Sequence, residues 1–340
     1  MTTLLEPAVT TAALDPTAAL DPTVEQGRTP VLTVDVPAGQ AATWTAANRE
    51  AIRGALAEHG ALLLRGLNAA TAADVAAVAE ALGVRPMTEH ERFASRRELG
   101  AGVHSGSEWP HDEPMCMHHE LSYAAEVPAT AVFGCLTAPA EGGATAVADS
   151  QDVLRALPAE VVEPFRRHGW LLKRCYHEVG VAWTEAFGTT DQTEVDAYCA
   201  EHAVAAEWLA DGMLRTRQRR AAVIEHPVTG EEVWFNQAAF LNGLTLDPMI
   251  REYLTDMYGT GSLPFDTAYG DGTPVPADVV ETINEAYRAA TRREPWQRGD
   301  VLLVDNLRTA HSREPYEGDR EVAVVLGDPV RLTDHVMAQS

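Results

Sequence analysis

Four apolar runs of strand-like composition mark the two ends of the folded part of this chain. Residues 61–67 (ALLLRGL) and 129–138 (ATAVFGCLTA) lie early, and residues 300–306 (DVLLVDN) and 320–327 (REVAVVLG) lie late. Segments with helical spacing fall between them, without the regular strand–helix alternation of a parallel sheet and without a GxGxxG turn. This pattern predicts a mainly β, α+β fold, a sandwich or barrel decorated by inserted helices. It argues against a Rossmann domain.

The first residues differ in composition from the rest. Residues 11–22 (TAALDPTAALDP) are one hexapeptide written twice, so residues 1–30 are predicted to be a flexible Ala/Thr/Pro-rich tail. Residues 31–340 are predicted to form one domain, with a helical insertion at about 150–220 that ends in a charged connector. Residues 88–114, rich in charges and glycines, predict a long loop at the edge of a pocket.

The net charge of the chain excludes some classes of binding partner. Fifty acidic and 26 basic residues give a formal net charge of −24. Such a field repels nucleic-acid phosphates and anionic lipids, so we expect no nucleic-acid or membrane partner. No apolar run approaches the roughly 20 residues that span a bilayer, and the four cysteines show no pairing motif. We therefore expect a cytoplasmic protein with free thiols that acts on a small molecule.

Residues 115–123 (MCMHHELSY) place histidines and a glutamate in a strand-like run. Residues i and i+2 of a strand point to the same face, so His118 and Glu120 can hold one metal ion together. With 12 histidines and 50 acids, chance predicts about two such pairs, and the chain has two, so spacing alone decides nothing. The other pair, His111 and Glu113, lies between two prolines, where a regular strand is hard to sustain. We therefore favour the second pair as ligands.

A third ligand is offered by His311, which lies just beyond the apolar strand predicted at residues 300–306. Two histidines and one carboxylate form the facial triad of non-haem Fe(II) oxygenases, which leaves positions for a chelating co-substrate and dioxygen. A 2-oxoacid such as 2-oxoglutarate carries a distal carboxylate, which Arg320 and the Thr145 hydroxyl are placed to bind. At this point the alternative also stands, in which His311 bonds within its own loop and Arg320 is a surface residue.

Several motifs together resemble the TauD/TfdA superfamily of Fe(II)/2-oxoglutarate-dependent dioxygenases. The likeness is nearest to its SyrP-like branch, which is associated with amino-acid hydroxylation in peptide-antibiotic pathways. The motifs run in family order from about residue 65 to residue 328, so they cover most of the chain apart from the tail. They read HHELSY, PAEGGATAVADS, HPVTGEEVWFNQ, YGDG and GDVLLVDNLRTAHSREPYEGDR.

The resemblance implies a fold, a cofactor and an activity. The fold is a distorted jelly roll, also called a double-stranded β-helix. His118, Glu120 and His311 are implied as ligands of Fe(II). Thr145 and Arg320 are implied to hold the distal carboxylate of 2-oxoglutarate, which is consumed with dioxygen. The implied reaction is hydroxylation of an unactivated C–H of an amino acid or a derivative, with release of succinate and carbon dioxide.

Some positions depart from the family pattern. His119 stands where asparagine is expected, and on a strand it points away from the triad. Ser312 and Tyr316 replace a commoner glycine and phenylalanine beside the distal histidine. Val324 stands where sulfonate-oxidising relatives carry an arginine. These departures predict altered surroundings of the site and argue against a taurine-like substrate.

The substrate and the outcome are the least constrained predictions. An amino-acid substrate needs a cation for its carboxylate and an acid or amide for its ammonium, for which the candidates are Glu108, Asn236, Arg308 and Arg313. The sequence leaves open whether the substrate is free or tethered to a carrier protein, and whether the outcome is hydroxylation, desaturation or cyclisation. A zinc-dependent hydrolase with the same ligands is the alternative class, although it has no use for a 2-oxoglutarate site.

Overall fold

The computed structural model describes residues 20–100, 102–177, 180–209, 212–332 and 334–337. The strands in this part are β1 (Val31–Thr33), β2 (Ala61–Arg65), β3 (Glu98–Gly100), β4 (Val103–Ser105), β5 (Met115–His118), β6 (Val127–Thr137), β7 (Glu141–Gly142), β8 (Thr145–Asp149), β9 (Trp170–Tyr176), β10 (Ala205–Trp208), β11 (Leu214–Arg220), β12 (Val223–Glu225), β13 (Glu232–Trp234), β14 (Asp266–Tyr269), β15 (Thr291–Arg292), β16 (Val301–Asp305), β17 (Thr309–Arg313), β18 (Tyr316–Glu317) and β19 (Glu321–Val330). The helices are α1 (Ala41–Ala47), α2 (Arg49–His59), α3 (Ala72–Ala81), α4 (Ser150–Ala156), α5 (Ala159–His168), α6 (Trp183–Phe187), α7 (Gln192–Glu201), α8 (Pro248–Tyr258) and α9 (Ala277–Ala290), with a 3-10 turn at Gly243–Thr245.

Two mainly antiparallel sheets form the core. The larger has the strand order β1-β2-β16-β6-β19-β4-β3, and the smaller has the order β15-β8-β17-β5. Side chains from both sheets, among them Leu63, Phe133 and Val147, pack into one buried cluster. Sheets that bury a shared apolar layer make the jelly-roll core that the sequence predicts. The prediction of the fold class is confirmed.

Strand β2 shows why some strands of this chain are apolar throughout. Leu63 faces the layer shared by the two sheets, whereas Leu62 and Leu64 belong to the cluster formed with helices α2 and α3. Because both faces are covered, no polar alternation remains, and each buried leucine stabilises the fold by roughly 1.5–3 kcal/mol. Helix α3 lies so close to β6 that a Cβ at Gly134 would meet a Val75 methyl carbon at 2.2 Å.

The predicted insertion at about 150–220 contains helices α4 to α7, but strands are interleaved with them. Strands β9, β10 and β11 join β14 in a second four-stranded sheet, ordered β10-β11-β9-β14. The predicted charged connector is strand β11, in which alternate residues from Leu214 to Arg220 are buried. The strand escaped prediction because its buried face is largely polar. Gln218, for example, donates a hydrogen bond to the carbonyl oxygen of Tyr123 at 2.8 Å.

Part of the predicted tail is in contact with the core. Residues 1–19 lie outside the described part of the chain. From Leu20 onward the chain packs against the large sheet, and Thr23 pairs with Val31. Arg28 forms an ion pair with Glu294.

Two further predictions concern the cysteines and membranes. None of the four cysteines forms a disulfide bond among the described residues, as predicted. Among the described residues, no helix is both long and apolar enough to cross a bilayer.

Candidate functional site

Three side chains that the sequence marks as metal ligands meet at the small sheet. His118 is the last residue of β5, Glu120 follows it closely, and His311 on β17 lies directly opposite His118 in the antiparallel register. One ligand atom from each residue lies within 4.8 Å of the other two. His311 Nε2 is 3.3 Å from Glu120 Oε1, and all three residues are buried. The pairing of two strands therefore brings together the donor atoms of a facial triad.

Hydrogen bonds behind the triad orient its members. His118 Nδ1 donates to the carbonyl oxygen of Cys116 at 2.9 Å, which leaves Nε2 for a metal ion. Asn306 accepts a hydrogen bond from the Glu120 backbone N–H at 2.7 Å and donates one to the Glu120 carbonyl oxygen at 3.0 Å. The sequence reasoning missed Asn306. The available signal was an amide side chain directly after an apolar strand, since a buried amide needs partners.

The protonation states of His118 and Glu120 suit a metal ion. Burial lowers the pKa of His118 to about 3, so its imidazole is neutral at neutral pH. Burial alone would raise the pKa of Glu120, but the Arg96 guanidinium, 2.7 Å from Oε1, and the hydrogen bond with His311 hold that pKa well below its usual range. Metal ions bind neutral imidazole and ionised carboxylate. The donor set therefore fits Fe(II).

His119 is fully buried and takes part in a hydrogen-bond network that also includes Asn306. Its Nδ1 lies 2.6 Å from the carbonyl oxygen of Asn306, and its Nε2 lies 2.8 Å from Ser150 Oγ. Nε2 also lies 3.1 Å from the carbonyl oxygen of Trp234. A neutral ring donates from Nδ1 to the Asn306 carbonyl and accepts at Nε2 from the Ser150 hydroxyl, and it gives the Trp234 carbonyl no donor. Burial lowers the pKa of His119 to about 4. The histidine that replaces the expected asparagine thus joins the start of α4 to the end of β16.

Acid is expected to destabilise the metal-free protein through His119. Its pKa in the unfolded chain is about 6.5, above the folded value of about 4. As the pH falls below 6.5, the unfolded state binds the proton first, so the free energy of unfolding drops by up to about 1.4 kcal/mol per pH unit until the folded pKa is reached. Urea unfolding of wild type and His119→Asn at several pH values between about 7 and 4.5 measures this. Between these pH values the free energy of unfolding should fall less in His119→Asn than in the wild type. Equal losses would contradict the lowered pKa of His119 in the folded protein.

Arg320 and Thr145 meet at the turn between β7 and β8. Arg320 Nη2 donates to Thr145 Oγ1 at 3.2 Å, and Nε donates to the Gly143 carbonyl oxygen at 2.8 Å. Gly143 has a φ of +67°, and a Cβ there would lie 2.9 Å from Tyr316 Cβ and 3.1 Å from Arg320 Cδ. Glycine therefore permits both the turn and the crossing of the arginine. Burial lowers the pKa of Arg320 to about 10, and no carboxylate of the described residues forms an ion pair with it.

One cavity connects Arg320 with the triad. It encloses about 440 Å³ of empty space, counting its open side. A partly buried guanidinium without a counter-ion among the described residues is suited to an anion, so the cavity fits a 2-oxoacid that chelates an ion at the triad and extends its distal carboxylate to the arginine. The lining includes the three triad residues, Thr145, Arg320 and Val324.

A second cavity shares Arg96, His118 and Glu120 with the first. Charged side chains of both signs line it, because Glu89 and Arg92 also face it. Residues 88–114 therefore edge a pocket, as predicted, although the sequence reasoning singled out no charged residue among 88–100. The apolar part of the lining is formed by Phe93, Met115, Leu121 and Phe240.

The four predicted substrate residues lie in different places. Glu108 lines a larger outer cavity that adjoins the second one. Arg313 lines the first cavity, but its guanidinium donates to three backbone carbonyl oxygens in the loop after Glu108. Asn236 is 1% exposed and bonds to neighbouring backbone. Arg308 binds Asp149 and two carbonyl oxygens of helix α2. Neither Asn236 nor Arg308 lines the two cavities at the triad.

Comparison with known proteins agrees with this site. The model of the family described as taurine catabolism dioxygenase TauD, TfdA family matches residues 18–326. The chain is 36% identical over 276 residues to the dapdiamide synthesis protein DdaC of Enterobacter agglomerans, covering 81% of this chain and 84% of DdaC. It is 29% identical over 282 residues to the clavaminate synthase-like protein At3g21360 of Arabidopsis thaliana, covering 80% and 82% of the two chains.

Solved structures show the same fold. The crystal structure of PvcB from Pseudomonas aeruginosa matches with a TM-score of 0.53 at 18% identity, covering 93% of this chain and 94% of PvcB. A second structure of PvcB, described as an Fe, alpha-ketoglutarate dependent oxygenase from an isonitrile synthetic pathway, matches with a TM-score of 0.52 at 17% identity and the same coverage. The resemblance predicted from the motifs is confirmed: the chain belongs to the TauD/TfdA family and is an Fe(II)/2-oxoglutarate-dependent oxygenase that consumes dioxygen.

Proposed function

We propose that this oxygenase hydroxylates an unactivated C–H of an amino acid or an amino-acid-derived molecule in a specialised-metabolite pathway. The observation that carries the proposal is the second cavity, which places an acid and two arginines beside apolar walls at His118 and Glu120. Charges of both signs suit an ammonium and a carboxylate, and apolar walls suit the carbon skeleton between them and the reacting C–H. The similarity to a protein of dapdiamide synthesis supports the assignment to a biosynthetic pathway.

In this proposal His118, Glu120 and His311 hold Fe(II), and Arg320 with Thr145 binds the distal carboxylate of 2-oxoglutarate. Iron with 2-oxoglutarate and dioxygen supplies an oxidant able to remove hydrogen from an aliphatic carbon, with release of succinate and carbon dioxide. The protein's part is to orient both substrates and to exclude water through the apolar walls. Because Glu120 fills the coordination position that a halide would need, halogenation is disfavoured.

The same cofactors also support desaturation or cyclisation, depending on which substrate carbon lies nearest the iron. The proposal also includes a substrate that is tethered to a carrier protein. The outer cavity, which adjoins the second one, leaves room for the longer tethered molecule. We place the reaction in the cytoplasm, where cysteines without disulfide bonds stay reduced.

Succinate release tests the proposal. The enzyme is supplied with Fe(II), 2-oxoglutarate and ascorbate, and each of a panel of L-amino acids, their pantetheine thioesters and taurine is added in turn. We expect one amino-acid compound to raise succinate release at least about 10-fold over the uncoupled rate, and one atom of ¹⁸O from ¹⁸O₂ to enter the product. Glu120→Ala is the control that should remove all release. Stimulation by taurine alone would contradict the proposal, and a product without ¹⁸O would indicate desaturation or cyclisation.

A further inference from the structure

Arg96 carries a hydrogen-bond donor that no group of the described residues uses. Its side chain is 6% exposed and lines both cavities at the triad. Nη2 donates to Glu120 Oε1 at 2.7 Å, whereas Nη1 is buried and has no hydrogen-bond partner in the described part of the chain. An unused donor on a buried guanidinium costs free energy that an anionic ligand would recover. A ligand carboxylate at Nη1 would lie close to the metal ligand Glu120.

Glu89 lies beside Arg96 with the opposite charge. Its side chain is also 6% exposed, and it lines the second cavity. The carboxylate oxygens are 4.0 Å from Arg96 Nε, 3.9 Å from Arg92 Nε and 4.0 Å from His104 Nδ1. All three distances exceed that of a hydrogen bond. The Glu89 oxygens therefore remain available to a cationic donor of a ligand.

A buried network fixes the backbone that carries both residues. Glu91 lies between them in sequence, is fully buried and has a φ of +57°. Tyr198 and Gln218 donate to its two carboxylate oxygens at 3.0 and 2.7 Å. Arg174 donates to the carbonyl oxygens of Glu91 and Arg92, both at 2.8 Å. The loop is therefore held by strands β9 and β11 and helix α7, so its charged side chains are ordered before a ligand binds.

We propose that Arg96 and Glu89 form a subsite for a free α-amino acid, in which Arg96 binds the α-carboxylate and Glu89 binds the α-ammonium. The Arg96 guanidinium and the Glu89 carboxylate lie about 4 Å apart. This spacing matches an α-amino acid, whose ammonium and carboxylate groups are both bonded to the α-carbon. The side chain of the substrate then extends along Phe240 and Met115 beside His118. This inference rests on the proposed function and narrows it, because a substrate joined to a carrier through its carboxyl group has no carboxylate for Arg96.

The test compares the best free amino acid of the panel with its methyl ester, its pantetheine thioester and its N-acetyl derivative. We expect the wild type to turn over the free amino acid with a kcat/KM at least about 30-fold above that of each derivative. In Arg96→Gln the advantage over the ester should shrink to within about 3-fold, and in Glu89→Gln the advantage over the N-acetyl derivative should shrink likewise. A ratio of two kcat/KM values from one preparation is independent of the fraction of enzyme that holds iron. It therefore separates substrate recognition from damage to Glu120.

Arg97→Gln is the matched control, because Arg97 is the next residue, is 62% exposed and pairs with Glu321 at the surface. It should keep both wild-type ratios. A second readout is the shift of the visible Fe(II)·2-oxoglutarate band when the free amino acid is added without oxygen, which should weaken in Arg96→Gln and Glu89→Gln. Wild-type ratios in both variants would overturn the subsite. If the thioester alone releases succinate, the subsite is wrong and the proposed function stands; if no amino-acid compound does so, both fail.

Discussion

Replacing His311 by alanine is expected to abolish the visible band that the apo-protein develops with Fe(II) and 2-oxoglutarate in the absence of oxygen. His311 is the only member of the proposed triad on β17, and its Nε2 lies 3.3 Å from Glu120 Oε1. Without it the ion keeps two protein ligands, and we expect the affinity for Fe(II) to fall at least about 100-fold, since even residues behind the ligands affect it 10- to 100-fold. Succinate release should fall with it.

His111→Ala is the matched control for this prediction. His111 lies in the proline-flanked loop that carries the disfavoured His-x-Glu pair, and its ring is 5.9 Å from the Tyr316 ring. This variant should keep the band, the affinity for iron and the melting temperature of the wild type. A band that survives in His311→Ala, or one that is lost equally in both variants, would contradict the proposed ligand set.

The parts of the site that could be predicted from sequence are those that depend on regular strands. The i, i+2 spacing placed His118 and Glu120 together, and the position of His311 after an apolar strand put it on an element that the fold returns to the same sheet. Arg320 could be predicted because it begins the strand-like run after His311, and Thr145 because its hydroxyl follows the GGA turn. For His118, His311 and Thr145, which lie on strands, local periodicity fixes the direction of the side chain, and strand pairing brings the three together. Glu120 and Arg320 lie just outside β5 and β19.

The acidic and basic residues of the second cavity could not be found in this way. Glu89 and Arg96 lie in a loop without periodicity, and their positions depend on Glu91, whose partners Gln218 and Arg174 are 127 and 83 residues away along the chain. Such contacts leave no local pattern in a single sequence. Strand β11 escaped prediction for a related reason, because polar side chains on its buried face contact partners that are distant in sequence.

Replacing Arg320 by alanine is expected to weaken the binding of 2-oxoglutarate by about 100- to 1,000-fold. No carboxylate of the described residues forms an ion pair with Arg320, whose guanidinium is held by Thr145 and the Gly143 carbonyl and faces the cavity of the triad. Loss of one partner of a buried ion pair costs about 3–5 kcal/mol, of which part is recovered where the open side of the cavity admits water. Anaerobic titration of the visible band with 2-oxoglutarate measures the dissociation constant.

Two comparisons separate a lost ion pair from general damage. The first uses 2-oxovalerate, which chelates iron in the same way but lacks the distal carboxylate. The wild type should bind it much more weakly than 2-oxoglutarate, whereas Arg320→Ala should bind both almost equally, because the group that distinguishes them has lost its partner. The second uses Arg293→Ala, since Arg293 is 56% exposed and pairs with Glu314, and it should behave as the wild type. The contrary result is that Arg320→Ala still binds 2-oxoglutarate more tightly than 2-oxovalerate by the wild-type factor. In that case another group binds the distal carboxylate, and the role of Arg320 is to stabilise the turn at Gly143.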